Sequence, residues 1–234
     1  MQGVILAGGE GTRLKALTDT TPKAMVKIAG KPFLYHQINL LKRNLIVNLV
    51  ICVGRGGDII RKYFGDGRSF GVRITYSDDG GTLLGTAGCL KKAKALLTER
   101  FFLTFGDAYP ILDYEVAWNI FLRSGKLALM VVNRNAGRHG MSNTVVQDGF
   151  VTYYSKKEAR ASMEYIEFGV TFMQRKVVDM IPDEYPIDLE ALYQRIIAQK
   201  EMVALDVKQR IYDIGSPEGL TEFRKIAEKG QLRL

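Results

Sequence analysis

The chain has 234 residues, of which 47% are hydrophobic and 25% charged, and this composition excludes a disordered chain. Its 33 Lys and Arg residues outnumber its 25 Asp and Glu residues, so the formal net charge is +8. This excess favours an anionic partner: a phosphate-bearing small molecule, a nucleic acid or a membrane surface.

Two classes of protein are disfavoured by what the sequence lacks. The apolar stretches are far shorter than the roughly 18 residues of a membrane helix, and the N-terminus lacks the basic region of a signal peptide. The two cysteines form no CxxC pair and there are only two histidines, so a disulfide framework or a structural zinc site is not expected. A reducing, cytoplasmic compartment fits this composition.

The first part of the chain alternates short apolar segments with amphipathic ones. The apolar segments are rich in β-branched or aromatic residues and predict strands: Gly3–Ala7, Leu49–Val53, Val72–Tyr76, Phe101–Phe105 and Leu127–Val132. The amphipathic segments predict helices: Phe33–Leu45, Ile59–Phe64, Leu90–Leu97 and Val116–Phe121. This alternation predicts an α/β fold with a Rossmann-like, mostly parallel sheet flanked by helices.

After about residue 134 the pattern changes. Three segments predict antiparallel or edge strands: Val145–Val146, Phe150–Tyr154 and Tyr165–Met173. Helices are predicted at Asp188–Gln199 and Pro217–Lys229. We therefore predict one continuous domain over 1–234, in which 1–133 is a ligand-binding core and 134–234 a small substrate-facing β subregion with the C-terminal helices.

A glycine-rich loop, Leu6–Leu14, follows the first predicted strand. Ligands of open α/β sheets lie beyond the carboxyl ends of strands, where glycines let backbone N–H groups approach phosphates and Arg13 could add a bidentate contact. A tight turn with a surface arginine explains the loop equally well. The dinucleotide-binding fingerprint fails because Leu14 replaces its third glycine, and the chain has no Walker A sequence.

A second segment, Thr21–Met25, places Pro22 directly before Lys23. Proline restricts the backbone, so the ammonium group leaves a stiff segment. Taken alone, Lys23 would be a solvated surface lysine. Its position between the glycine-rich loop and Gly30–Leu34 weakens that interpretation.

Together these segments resemble the sugar-1-phosphate nucleotidyltransferase family, and nearest to them are short bacterial members acting on mannose, heptose or N-acetylmuramate 1-phosphates. The matching segments follow the family order over nearly the whole chain: Leu6–Leu14, Pro22–Met25, Gly30–Leu34, Leu84–Gly88, Gly106–Asp107 and Asp213–Glu218. The resemblance implies a nucleotide-diphospho-sugar transferase-like fold. It also implies a reaction in which a sugar 1-phosphate attacks the α-phosphorus of a nucleoside triphosphate and pyrophosphate leaves.

The resemblance assigns catalytic roles to four residues. Arg13 would stabilise the leaving pyrophosphate, and Lys23 would bridge the α-phosphate and the attacking phosphate. Asp107 and Asp213 would bind Mg²⁺, which takes one or two carboxylates together with phosphates and water. Each aspartate follows a short predicted strand, Phe101–Gly106 or Arg210–Tyr212, so either one alone could simply form a turn.

The resemblance makes 1–133 the nucleotide-binding core and 134–234 the sugar-phosphate-binding subregion with the C-terminal helices. It also divides the remaining site residues between the two substrates. Backbone N–H groups of the loop would bind phosphates: Gly8, Gly9, Gly11 and Thr12. The nucleobase would lie against two segments: Leu6, Ala7 and Gly8, and Gly85, Thr86 and Ala87. The alternative for Thr86 is a helix N-cap.

Asp78 and Asp79 could approach the base, but we interpret them as a solvated turn. The sugar phosphate would contact four residues after Arg134: Asn143, Lys156, Glu167 and Gly169. Glu167 could accept hydrogen bonds from sugar hydroxyls, although the segment Glu167–Val170 stands where many relatives have an Asn-Ala-Gly segment.

The expected partners are a nucleoside triphosphate and a sugar 1-phosphate, with Mg²⁺ as cofactor and without nucleic acid or membrane; a homodimer is left open. Two alternatives belong to other classes. The first is a catalytically silent regulator that binds nucleotide sugars, against which Arg13, Lys23, Asp107 and Asp213 count. The second is an RNA-binding module, which only the net charge suggests.

Overall fold

The structure is a computed structural model that describes residues 1–9, 21–135, 141–209, 211–230 and 232. Its strands are β1 (Gln2–Leu6), β2 (Lys27–Ile28), β3 (Lys31–Pro32), β4 (Asn48–Val53), β5 (Arg73–Asp78), β6 (Arg100–Phe105), β7 (Ala108–Pro110), β8 (Ala128–Arg134), β9 (Thr144–Gln147), β10 (Phe150–Tyr154), β11 (Tyr165–Gln174), β12 (Met202–Asp206) and β13 (Ile211–Asp213). The α-helices are α1 (Phe33–Arg43), α2 (Gly57–Phe64), α3 (Gly85–Lys92), α4 (Tyr114–Ser124), α5 (Leu189–Ala198) and α6 (Pro217–Glu228). Short 3₁₀ turns occupy Lys23–Met25, Arg68–Phe70, Lys94–Leu96 and Arg175–Met180.

A nine-stranded sheet in the order β5-β4-β1-β6-β11-β8-β12-β10-β9 forms the centre of the molecule. The adjacent strands β5, β4, β1 and β6 are parallel to one another, as the alternation of apolar and amphipathic segments predicts. Strands from both sides of residue 134 share this sheet. The α/β class is confirmed.

The antiparallel part enters the sheet at its middle. β11 runs antiparallel to both of its neighbours, β6 and β8, whereas β12 is parallel to β8. β10 and β9 complete the sheet as antiparallel strands. The segment predicted as an antiparallel or edge strand at Tyr165–Met173 is therefore antiparallel and central.

Helices cover both faces of the sheet. Along β1, Val4 and Ile5 are fully buried and belong to two different apolar clusters, because successive side chains of a strand point to opposite faces. The cluster around Val4 contains residues of α3 and α5, and the cluster around Ile5 contains residues of α1, α2 and α4. Because helices bury both faces of the sheet, the strands consist of continuous apolar residues rather than alternating apolar and polar ones.

A small two-stranded sheet brings a late segment of the chain to the end of β6. β7 pairs antiparallel with β13, in a register that places Asp213 opposite Ala108. Helix α6 packs here through Phe223, in a third apolar cluster with Phe33 and Tyr109. Asp213 is thus the last residue of β13 and belongs to this small antiparallel sheet. The sequence interpretation placed it beyond the end of a strand of the parallel sheet, and that placement is wrong.

Candidate active site

A cavity of about 860 Å³ opens where β1 and β6 end. We divide its lining into three walls. The Asp79 wall comprises Gly8, Asp79, Leu83, Leu84 and Cys89, the Lys23 wall comprises Lys23, Asp107 and Asp213, and the Lys156 wall comprises Asn143, Lys156, Glu167 and Gly169. Leu6, Ala7, Gly9, Gly85 and Thr86 also line the cavity. Among the described residues predicted for the site, only Ala87 is missing from the lining; Gly11, Thr12 and Arg13 lie outside the described residues.

The Lys23 wall contains an ion pair. The Lys23 ammonium lies 2.9 Å from Oδ2 of Asp107, and the two side chains are 14% and 29% exposed. Lys23 is the first residue of the 3₁₀ turn that follows Pro22. Lys23 is therefore partly buried within the cavity and is not a solvated surface lysine.

Asp213 joins this wall through the backbone. The Ile214 N–H donates to the carbonyl oxygen of Asp107 at 2.9 Å, which fixes the two aspartate segments side by side. The Gly215 N–H donates to Oδ1 of Asp213 at 2.7 Å and orients its carboxylate. Two carboxylates from distant segments thus line one cavity.

Gln37 supports the same wall and was not singled out from the sequence. This fully buried side chain on α1 donates from Nε2 to the carbonyl oxygens of Phe105 and Ala108, both at 2.8 Å. These bonds hold the backbone on either side of Asp107. A glutamine on the buried face of an amphipathic helix was the signal in the sequence, because most buried amide groups have hydrogen-bond partners. Nε2 of Gln37 is satisfied in this way, whereas its Oε1 has no hydrogen-bond partner among the described residues.

The end of β1 approaches its neighbours closely. A Cβ atom built on Gly106 would lie 3.0 Å from Cβ of Ala7, and one built on Gly8 would lie 3.2 Å from the backbone nitrogen of Gly54. The Gly106 N–H donates to the Leu6 carbonyl oxygen at 2.8 Å. These contacts bring the backbone of the loop to the cavity edge, where backbone N–H groups can bind a ligand.

The segment before α3 is bonded to the segment before α5. Thr86 does not cap its own helix, which begins after Leu84; its hydroxyl accepts the N–H of Leu189 at 2.8 Å, at the start of α5. The Ala87 N–H donates to the Ile187 carbonyl oxygen at 2.9 Å, and Ala87 is completely buried. Ala87 therefore supports the cavity from behind.

The prediction of a solvated turn holds for Asp78 and is wrong for Asp79. Asp78 is half exposed and pairs with Arg61 at 2.7 Å. Asp79 is only 9% exposed because Gly8 and Gly54 have no side chains to keep it out. Burial raises the pKa of the Asp79 carboxyl above its ordinary value, against the opposing effect of the Gly81 N–H.

The Lys156 wall is a hydrogen-bonded cluster around Glu167. The side chain of Glu167 is 5% exposed, and its Oε2 lies 3.5 Å from the Lys156 ammonium. The Tyr154 hydroxyl donates to Oε2 at 2.5 Å and the Tyr193 hydroxyl to Oε1 at 3.4 Å. Oδ1 of Asn143 accepts the Glu167 N–H at 2.9 Å. Glu167 is thus engaged mainly by the protein itself.

Burial and the adjacent carboxylate also affect the tyrosines. Desolvation and, after it, the charge of Glu167 raise the pKa of Tyr154 far above its ordinary value, and the pKa of Tyr193 is raised for the same reasons. Both hydroxyls therefore stay protonated and donate to Glu167. The ammonium of Lys156 lies 4.9 Å from the centre of the Phe105 ring, at the end of β6.

Gly169 interrupts β11 beside this cluster. Its φ is +76°, and the pairing of β11 with β8 shifts register between Glu167 and Thr171. A Cβ atom at this position would lie 3.0 Å from Cδ1 of Ile211 on β13. Glycine thus allows the bulge and the close packing of β13 that the position of Asp213 requires.

Comparison with known proteins identifies the family. A family model described as nucleotidyl transferase matches residues 2–230. The chain belongs to this family. The resemblance inferred from the sequence motifs is therefore confirmed.

Named relatives of this chain are sugar-1-phosphate nucleotidyltransferases. The chain is 31% identical to a UTP–glucose-1-phosphate uridylyltransferase of Synechocystis over 81% of its own length and 53% of the relative. It is 27% identical to a D-glycero-α-D-manno-heptose 1-phosphate guanylyltransferase of Campylobacter jejuni, over 95% of this chain and 98% of the relative. It thus spans about half the length of the first relative and nearly all of the second.

A solved structure shows the same fold. HddC of Yersinia pseudotuberculosis, complexed with GMP-PN, is 26% identical to this chain with a TM-score of 0.79, covering 98% of this chain and 99% of that one. No helix in the described part of the chain is both long and apolar enough to cross a membrane.

The donor set of the Lys23 wall fits a magnesium ion. Asp107 and Asp213 are hard carboxylate ligands, and Mg²⁺ commonly takes one or two such ligands while substrate phosphates and water supply the others. In the described ranges no group of three or more His, Cys, Asp or Glu side chains could hold a metal by itself.

Proposed function

We propose that this nucleotidyl transferase joins a nucleoside triphosphate to a sugar 1-phosphate and releases pyrophosphate. An oxygen of the sugar phosphate forms a bond to the α-phosphorus, and the bond from that phosphorus to the α,β-bridging oxygen breaks. The electron pair leaves with pyrophosphate, so no oxidant or reductant is needed. The observation that carries the proposal is the Lys23 wall, which places one cation and two carboxylates at the edge of an open α/β sheet.

In this reaction the protein positions phosphates and compensates their charge. Lys23 leaves Asp107 and binds the α-phosphate together with the attacking phosphate. Its charge holds the two anions close enough for the sugar phosphate oxygen to attack the α-phosphorus. Asp107 and Asp213 hold Mg²⁺, which neutralises charge on the phosphate oxygens when bound. Backbone N–H groups after β1 bind the phosphate chain, and the predicted role of Arg13 on the leaving pyrophosphate is retained in the proposal.

The Lys156 wall would bind the sugar phosphate. Its ammonium group supplies the charge that a phosphate requires, and Glu167 fixes the direction of the lysine. Gly169 and Asn143 line the cavity beside Lys156, where the sugar ring would lie.

The Asp79 wall supports guanine as the base. The described residues of this wall are apolar except for Asp79 and include no Lys or Arg, so the wall suits an uncharged ring better than a phosphate. An ionised carboxylate only accepts hydrogen bonds. Guanine offers two adjacent donors, N1–H and the 2-amino group, to its two oxygens, whereas uracil offers one N–H between two carbonyl groups. The heptose 1-phosphate relative and the bound GMP-PN in HddC agree with guanine, and the uridylyltransferase relative does not.

A substrate matrix tests the proposal. GTP, UTP, CTP and dTTP are each incubated with mannose, heptose, glucose and N-acetylmuramate 1-phosphates, and pyrophosphate release is measured with and without EDTA. We expect release to depend on Mg²⁺ and to be fastest with GTP. Nucleotide binding without release under any combination would support the silent regulator instead, and binding of single-stranded RNA alone would support the RNA-binding module.

A further inference from the structure

The first turn of α5 contacts both substrate-binding parts of the cavity. We call the residues Asp188–Glu190 the α5 turn. On one side, the Leu189 N–H donates to the Thr86 hydroxyl at 2.8 Å. On the other side, Glu190 accepts the Ser155 hydroxyl at Oε1, at 2.8 Å, and the Lys156 backbone N–H at Oε2, at 3.3 Å. One helical turn is thus bonded to the segment before α3 and to the segment that carries Lys156.

The bonds from Glu190 determine where the Lys156 side chain starts. Ser155 is buried, and its hydroxyl also accepts the N–H groups of Lys157 and Glu158, both at 3.1 Å. Glu190 therefore holds a tight turn centred on Ser155. Glu167 holds the far end of Lys156 at its ammonium group. The two carboxylates together fix both ends of a flexible side chain.

The bonds on the other side are equally close. The Ile187 N–H donates to the Leu84 carbonyl oxygen, and the Ala87 N–H donates to the Ile187 carbonyl oxygen, both at 2.9 Å. A Cβ atom on Gly85 would lie 2.4 Å from that same Ile187 oxygen. The segment Leu84–Ala87 is therefore held closely against the residues that precede α5.

We propose that Glu190 is a positioning residue that links the segment Leu84–Ala87 to Lys156, so that a bound nucleotide strengthens the binding of the sugar 1-phosphate. The inference rests on the proposed function, which places the two substrates at these two segments. Coupling between two ligands is reciprocal: each changes the affinity for the other by the same factor. A physical explanation of it requires a structural element whose conformation both ligands affect. The α5 turn is bonded to both segments, which supplies the physical connection that such a coupling requires.

Glu190 could also affect ligand binding only by stabilising α5, and a second glutamate distinguishes this explanation from the proposed link. Glu190 occupies the second position of α5, where a negative charge favours the helix dipole. Glu115 occupies the same position of α4 and is exposed on the surface. Replacing either carboxylate removes the dipole contribution, but only Glu190 contacts a substrate-binding segment. Glu115→Gln is therefore the matched control.

Calorimetric titration of mannose 1-phosphate tests the coupling, with and without the α,β-methylene analogue of GTP, which cannot undergo transfer. If the substrate matrix selects another pair, that pair and its analogue replace them. In the wild type we expect the analogue to lower the Kd of the sugar phosphate by roughly tenfold. Glu190→Gln should reduce this factor to about one or two. Glutamine has an NH₂ group in place of one carboxylate oxygen, and NH₂ cannot accept a hydrogen bond, so the Ser155 hydroxyl and the Lys156 N–H can no longer both donate to the side chain.

The outcomes separate the inference from the proposed function. Glu115→Gln should keep the wild-type factor, and Thr86→Val, which breaks the link from the other side, should lose it even if Glu190→Gln fails to fold. An equal Kd with and without nucleotide in the wild type overturns the inference, as does a wild-type factor in Glu190→Gln or in Thr86→Val. If no nucleotide and sugar phosphate release pyrophosphate, the proposed function itself fails.

Discussion

Lys23 and Asp107 are 84 positions apart in the chain, yet the ammonium group of one lies 2.9 Å from Oδ2 of the other inside the cavity. Pro22 restricts the backbone before Lys23, and Gln37 holds the backbone around Asp107. In this pair each charge compensates the other. Substrate phosphates would compete with Asp107 for Lys23, and a cation would compete with Lys23 for Asp107. Substrate binding should therefore break the ion pair and leave Lys23 bound to phosphate and Asp107 bound to the cation.

Lys23→Met should lower kcat/KM for pyrophosphate release by about 100-fold to 1000-fold, because methionine keeps the bulk and loses the cation. Lys23→Arg should recover only part of the activity, since its planar group differs from a compact ammonium. Lys62→Met, on the exposed surface of α2, is the control for loss of one positive charge. Near wild-type kinetics of Lys23→Met would remove Lys23 from the site.

Asp107→Asn and Asp213→Asn should each lose most activity and regain part of it as the Mg²⁺ concentration rises. Each substitution keeps the shape and one oxygen but removes a negative charge. Because the two residues serve one centre, the double variant should be little worse than the poorer single variant. Activity is measured against the Mg²⁺ concentration. Full wild-type activity in excess EDTA, or strictly multiplicative losses, would contradict a shared metal site.

The parts of the fold and site that the sequence predicts correctly depend on local patterns. β1, β4 and β6 are continuous apolar runs, and residues that follow parallel strands meet at one sheet edge, which brings Asp107 to the loop after β1. The central position of β11 depends on pairing with β6 and β8, which its own residues do not encode. The burial of Asp79 depends on Gly8 and Gly54, and the Asp79-Gly80-Gly81 sequence alone indicates an exposed turn.

Asp79→Asn should weaken the preference for GTP, because asparagine offers guanine one acceptor and one donor in place of two acceptors. Burial raises the pKa of the Asp79 carboxyl, with Asp78 raising it further and Lys92 lowering it. As the pH falls towards that raised pKa, the wild type should show an increasing KM for GTP, and the asparagine variant should show a smaller change. The KM values for GTP and UTP are compared across acidic to neutral pH.

Asp79→Asn should also change the stability of the folded protein, and the raised pKa of Asp79 determines the direction of the change. A carboxyl group whose pKa is higher in the folded than in the unfolded state makes folding less favourable as the pH rises through these two values. Asp79→Asn removes this contribution, so at neutral pH the variant should be at least as stable as the wild type in urea. A clearly less stable variant at neutral pH would show that the Asp79 carboxylate contributes to folding.

Glu167→Gln should raise the KM for the sugar 1-phosphate more than the KM for the nucleotide, because the amide holds Lys156 less firmly. The Tyr154 and Tyr193 hydroxyls would also lose a charged acceptor, which should lower the free energy of unfolding by about 1–3 kcal/mol. Glu164→Gln, which removes an exposed partner of Arg134, is the control. Equal changes in both KM values would argue against a role specific to the sugar phosphate.

Gly169→Ala should destabilise the protein and reduce its activity, whereas Gly149→Ala should only destabilise it. The two glycines have nearly the same φ, +76° and +77°, so an alanine pays a similar conformational cost at each, roughly 1–2 kcal/mol. They differ in their surroundings: a Cβ atom at 149 would have no neighbour within 4 Å, and one at 169 would lie 3.0 Å from Ile211. Ile211 is on β13 with Asp213, so its displacement should shift this carboxylate away from Asp107. Urea unfolding and pyrophosphate release are measured for both variants. If both lost activity equally, relative to the fraction folded, the contact between Gly169 and β13 would not be what positions Asp213.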